Sequence, residues 1–139
     1  MRYLAILILF MTAFGVGTLA AQVTDQAHIP AKGSPERDAI LNALRSNPQE
    51  KFQVHFIKAH NGWAWVDTTP LDANGQATAE GGPNLLHLVN DKWQVQDLSK
   101  VKDDPNDPMG AEDASPVYVR NLRRVYKSCP ADIFPKPSH

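Results

Sequence analysis

The chain has 139 residues and a mass of 15.4 kDa, one domain's worth, which excludes a large multidomain enzyme. Hydrophobic residues make up 42% and charged residues 21%, an ordinary globular mixture rather than a disordered one. The formal net charge of -1 gives no case for nucleic-acid binding, and none is expected.

The N-terminus differs from the rest. Arg2 gives a short positive start, and Leu4 to Met11 runs apolar without a break. Thr18-Leu19-Ala20-Ala21 then supplies small residues. This order is that of a secretory signal peptide, residues 1–21, cut after Ala20 or, preferably, Ala21. The apolar stretch is shorter than the roughly 20 residues a spanning helix needs. The expectation is export to a bacterial periplasm or beyond, with membrane contact only through this segment before cleavage. Cys129 is the one cysteine, so no intramolecular disulfide can form.

Residues 22–33 are polar and aperiodic and read as a flexible leader to a single domain over 34–139. Ser34-Pro35-Glu36 starts a helix. The hydroxyl satisfies a free N–H, proline has none to waste, and the acid meets the positive end of the dipole. Ile40, Leu41 and Leu44 fall on one face, and Asn47-Pro48 ends the helix.

Lys51 to Ala59 changes period. Phe52, Val54 and Phe56 alternate with Gln53 and His55, which predicts a strand with one buried face. Asn61-Gly62 predicts a hairpin, because both central residues of a type I′ turn need positive φ. Trp63-Ala64-Trp65-Val66 is the returning strand, closed by Thr68, Thr69 and Pro70. Leu71 to Pro83 reads as a loop in which Asn74-Gly75 can form a small tip. Leu85–Val89 is a third strand, Asn90-Asp91 turns the chain, and Trp93 and Val95 mark a fourth. Ser99 to Ala114 reads as an acidic loop. Ser115-Pro116 repeats the helix start, with Tyr118, Leu122 and Val125 at helical spacing beyond it. The prolines after Cys129 predict an irregular tail, 128–139.

The expected class is therefore α+β. An N-terminal helix packs on a curved four-stranded antiparallel meander, in a cystatin-like style, and a short C-terminal helix comes after it. Fold alone carries no function.

Several residue sets carry chemistry. Two or three of His55, His60 and His87 can converge on one sheet face, but no zinc-type spacing supports a metal site, and no cofactor is expected. Asp103 to Asp107 supplies hard oxygens, yet Pro105 and Pro108 break the alternation of a calcium loop. No nucleophile motif appears, and Cys129 before Pro130 reads as a packed thiol or one able to dimerise. A candidate binding surface comprises His60, Asn61, Gly62, Trp63 and Trp65 around the hairpin, with the tryptophans expected mostly in the core. Arg120, Arg123 and Arg124 add a basic helix end suited to an anionic glycan or acidic partner.

Gly33-Ser34-Pro35-Glu36-Arg37-Asp38-Ala39-Ile40-Leu41 resembles the opening helix of an uncharacterised group of small exported bacterial proteins. Gly62-Trp63-Ala64-Trp65-Val66 and the later Trp93-Gln94-Val95 are similar to the strands of that group. The resemblance implies a compact exported α+β domain and no reaction. The Gln-x-Val-x-Gly loop of cystatins is absent. The expected function is that of a non-enzymatic envelope module binding a protein or glycan. An inhibitor or immunity-type protein is one alternative, and a small His-dependent hydrolase is another.

Overall fold

A computed structural model describes residues 26–137. The expected signal peptide lies outside the described residues. Within them the class is α+β, with four antiparallel strands joined as a meander in the order β1-β2-β3-β4.

Helix α1 spans Pro35–Leu44 and begins as its capping residues dictate. Ser34 Oγ accepts from the Arg37 N–H at 3.2 Å, and Glu36 and Asp38 occupy the first turn. Strands β1 (Lys51–His60) and β2 (Trp63–Leu71) meet at the Asn61-Gly62 turn. Strands β3 (Gly82–Val89) and β4 (Lys92–Val95) meet at Asn90-Asp91. Thr68, Thr69 and Pro70 do not close β2. The strand continues and pairs Leu71 with Lys51. Pairing to β3 stops at Thr68, so the missing N–H of Pro70 interrupts no β2–β3 bond, and its carbonyl accepts from the Thr78 N–H at 3.0 Å. Gly75, at φ 82°, turns the chain between Leu71 and Ala77, which form an isolated bridge, so Asn74-Gly75 is a small tip.

The register of β1 shifts between Val54, opposite Thr68, and Phe56, opposite Asp67. His55 is the extra residue of a bulge. A one-residue slip reverses the faces. Phe56 therefore leaves the face it was expected to share with Val54, and Ile57 and Ala59 take its place there.

The sheet is buried on both sides, not on one. On the first face Ile40 of α1 shares a cluster with Ile57, Ala59, Ala64, Val66 and Leu86. The second face carries Trp63, Trp65 and Leu85 and is covered by later chain. That cover includes α2 (Gly110–Asp113), α3 (Pro116–Val125) and the tail residues Cys129, Ile133 and Phe134. The unbroken apolar run Trp63-Ala64-Trp65-Val66 is what a strand covered on both faces looks like, since alternate side chains enter different cores.

Two stretches expected to be irregular are bonded to the domain. In the leader, His28 and Ala59 exchange two backbone hydrogen bonds of 2.9 Å, and Pro30 is fully buried. In the tail, a 3-10 turn at Ala131–Ile133 puts Ile133 and Phe134 into the second core. A proline-rich segment without long helix or strand can still be fixed by burial of its apolar side chains.

Candidate functional site

The hairpin tip forms as its sequence requires, with Asn61 at φ 49° and Gly62 at φ 74°. Its neighbours do not form an open platform. Trp63 and Trp65 are 3% and 1% exposed and belong to the second core. The expectation that they contribute binding surface is corrected, because the tail and α3 cover the face on which they stand. His60 is also engaged. Its Nδ1 lies 2.8 Å from Asp132 Oδ1, with the ring N–H donating, and its side chain is only 14% exposed. Asn61 remains exposed at the tip.

Two of the three histidines share a face. His60, Trp63 and His87 are register partners across three strands, so they share the second face. The His87 ring stacks on Trp63 at 3.9 Å between centroids and 9° between planes. Burial holds the His87 pKa below the ordinary histidine value. His55 stands apart at the bulge, with Nε2 2.9 Å from Thr69 Oγ1. Among the described residues no three His, Cys, Asp or Glu side chains gather into a metal-holding group.

Cys129 is buried, and burial pushes its thiol up to about 12. Nearby Arg123 works against that rise and Asp132 adds to it. A thiol held protonated and out of solvent is neither a nucleophile nor an exposed dimerising group at neutral pH.

Helix α3 gathers the remaining candidates. Ser115 Oγ accepts from the Tyr118 N–H at 3.1 Å, and its hydroxyl donates to the Asp107 carboxylate. Pro116 occupies the first turn. Tyr118 and Leu122, four residues apart, face the core. Val125, expected beside them, is 40% exposed. Tyr126 takes its place as the helix ends, tilting its ring against Trp63 and donating its hydroxyl to the Asp97 carbonyl at 2.7 Å.

The opposite stripe of α3 is open. Pro116, Val119, Arg120, Arg123 and Arg124 line a groove of about 500 Å³. Arg123 Nε donates to the Cys129 carbonyl at 2.9 Å, and Arg124 Nη1 to Asn121 Oδ1 at 3.3 Å. Both bonds aim the side chains and leave the positive charges without a counter-ion. Residues 114–131 contain Arg120, Arg123, Arg124 and Lys127 and no acidic residue. Residues 103–113 contain Asp103, Asp104, Asp107, Glu112 and Asp113 and no Lys or Arg. Among the described residues the ion pairs are His28–Glu36 and His60–Asp132, so none of the four cations of α3 and its C-terminal end is paired with a carboxylate. An apolar floor edged by unpaired guanidinium groups can hold carboxylates or other planar anions by paired N–H donors.

The structure thus joins Arg120, Arg123 and Arg124 in one surface, whereas the hairpin residues Trp63 and Trp65 are buried in the second core. Sequence reasoning missed Asp132 and the tail that carries it. The signal available was Ile133-Phe134, two large apolar residues in a segment otherwise read as loose. The site defines an α+β domain with a segregated charge surface. No protein-family model, curated protein or solved structure matches the chain.

Proposed function

We propose that the protein is an exported, non-enzymatic module of the cell envelope that binds an anionic protein or glycan through α3. The observation that carries this reading is the groove of Pro116, Val119, Arg120, Arg123 and Arg124, whose cations have no carboxylate partner among the described residues. Export rests on the N-terminal sequence alone, and the resemblance to small exported bacterial proteins agrees with it. A cystatin-like wrap of the sheet around α1 belongs to the same proposal and is supported by Ile40 sharing one buried cluster with side chains of β1, β2 and β3.

Titration of the purified protein with polyglutamate and with an anionic polysaccharide tests the binding. Wild type binds at low salt and releases as salt rises, because the interaction is ionic and exposed. Arg120→Glu/Arg124→Glu weakens it by more than about tenfold. Equal binding by wild type and variant removes α3 from the function. Mass spectrometry of the protein's N-terminus tests export: a membrane-bound species that keeps Met1 overturns it.

A further inference from the structure

The groove on α3 has a fitting occupant within the same sequence. We infer that the protein self-associates, with residues 103–113 of one copy docked on the α3 groove of a second copy. The inference rests on the reading of α3 as a binding surface and names its partner.

Charge complementarity is the first support. Five carboxylates stand in residues 103–113 and four cations in residues 114–131, each block free of the opposite sign. The blocks adjoin in sequence, and α2 rests against α3. Even so, no Lys or Arg of the described residues pairs with a carboxylate. Neighbouring blocks that do not neutralise each other within one chain leave both available to another.

Shape is the second support. The acidic segment surrounds a recess of about 210 Å³ between Asp103, Asp104, Asp107, Pro105, Pro108 and Tyr118. Prolines and a ring at the walls suit the apolar stem of an arginine, and carboxylates suit its guanidinium. Arg120 and Arg124 of the other copy are the groups that α3 presents outward.

Symmetry is the third. Because the two blocks lie side by side, a two-fold axis between them brings each acidic segment onto the other copy's α3, and both contacts form at once. Such a contact closes as a dimer rather than growing into a filament.

Light scattering coupled to size separation gives the test. Without added polyanion, purified wild type is expected at twice the monomer mass in low salt and at monomer mass in high salt, and excess polyglutamate in low salt is expected to displace the acidic segment and leave a monomer. Arg120→Glu/Arg124→Glu is expected as a monomer, and so is Asp103→Lys/Glu112→Lys. Mixed together, the two variants are expected to restore the dimer, because each reversed block then meets its opposite. If a reversal variant fails to melt cooperatively, the milder Arg124→Gln and the salt series carry the test. A wild-type protein that is monomeric at low salt without polyanion overturns the inference, as does a dimer indifferent to salt and to both reversals. Such a monomer, if it still binds polyglutamate through α3, overturns self-association alone. A monomer that binds no polyanion overturns the reading of α3 as well.

Discussion

The two faces of the sheet are built by different means. The first has the smaller buried core: Ile57, Ala59, Ala64, Val66 and Leu86 share one cluster with Ile40 of α1, and Trp93 of β4 packs half-buried against it. Small and β-branched residues let a helix approach closely. The second is broad: Trp63, Trp65 and Leu85 gather Val101, Ala114, Tyr118, Leu122, Cys129, Ile133 and Phe134 from most of the C-terminal third. Two tryptophans on one strand need more cover than one short helix supplies. The contrast teaches that bulky side chains on one face recruit irregular chain to that face, and that the recruited chain buries its own apolar side chains there.

The strongest way to break the contrast is to remove the tail. Truncation after Lys127 deletes Cys129, Ile133 and Phe134 from the second core. Stability is expected to fall by more than about 4 kcal/mol, since two large buried side chains go at once. Tryptophan emission should shift to the red as Trp65, whose ring lies 5.0 Å from that of Phe134, meets water. A truncated chain with unchanged denaturant midpoint and emission would make the first face sufficient for the fold.

On the first face the comparable cut is Ile40→Ala. Ile40 is fully buried, and its loss leaves a cavity against the sheet. The expected cost is about 3 kcal/mol by chemical denaturation, and a cost under about 1 kcal/mol would mean that α1 is not needed to close that face.

The two hairpin turns offer a finer test, since both link strands common to the two faces. Asn61 and Gly62 stand at φ 49° and 74°, Asn90 and Asp91 at φ 50° and 62°. The geometry is the same, and only the first turn places glycine at the second position. A Cβ at Gly62 meets Leu88 Cβ at 3.5 Å, an ordinary contact, so the penalty of Gly62→Val comes from the backbone. About 1 kcal/mol or more of destabilisation is expected. Asp91→Gly is expected to stabilise by roughly 0.5 kcal/mol, read as a small rise in Tm. Opposite signs at the two turns confirm that φ decides, and equal signs would refute it.

Histidine titration distinguishes the faces by sign. His28 pairs with Ala59 on the first-face side and bonds Glu36 of α1 at 2.7 Å. Burial alone works to lower its pKa, but the Glu36 carboxylate and the Gln26 carbonyl outweigh burial and raise it. Its contribution is full below the unfolded value of about 6.5 and fades as pH rises through the raised value. His87, on the second face, is shifted down by burial, so its contribution holds above about 6.5 and is lost as pH falls through the lowered value. Melting at about pH 5.5 and about pH 8 should show His28→Asn costing more at the lower pH and His87→Asn costing more at the higher. The differences should be a few tenths of a kcal/mol, because solvent screens partly exposed groups. Matching pH trends for the two variants would contradict the assigned environments.

The sequence by itself determined the local events of this protein. Ser34-Pro35 and Ser115-Pro116 start helices because cap and proline act within one turn. Asn61-Gly62 and Asn90-Asp91 turn the chain because few residues accept positive φ, and those turns pair β1 with β2 and β3 with β4. The basic stripe was legible as a run of residues, because helical spacing alone brings Arg120, Arg123 and Arg124 to one side. Tertiary structure decided what depends on distant neighbours. The bulge at His55, which sends Val54 and Phe56 to opposite faces, has no signal in an alternating pattern that reads equally well without it. The burial of Trp63 and Trp65 required Cys129, Ile133 and Phe134 to fold back across them, and the bond of His60 to Asp132 results from that return. Propensity and capping act over a few residues, whereas burial is settled only when chain far along the sequence supplies the covering surface.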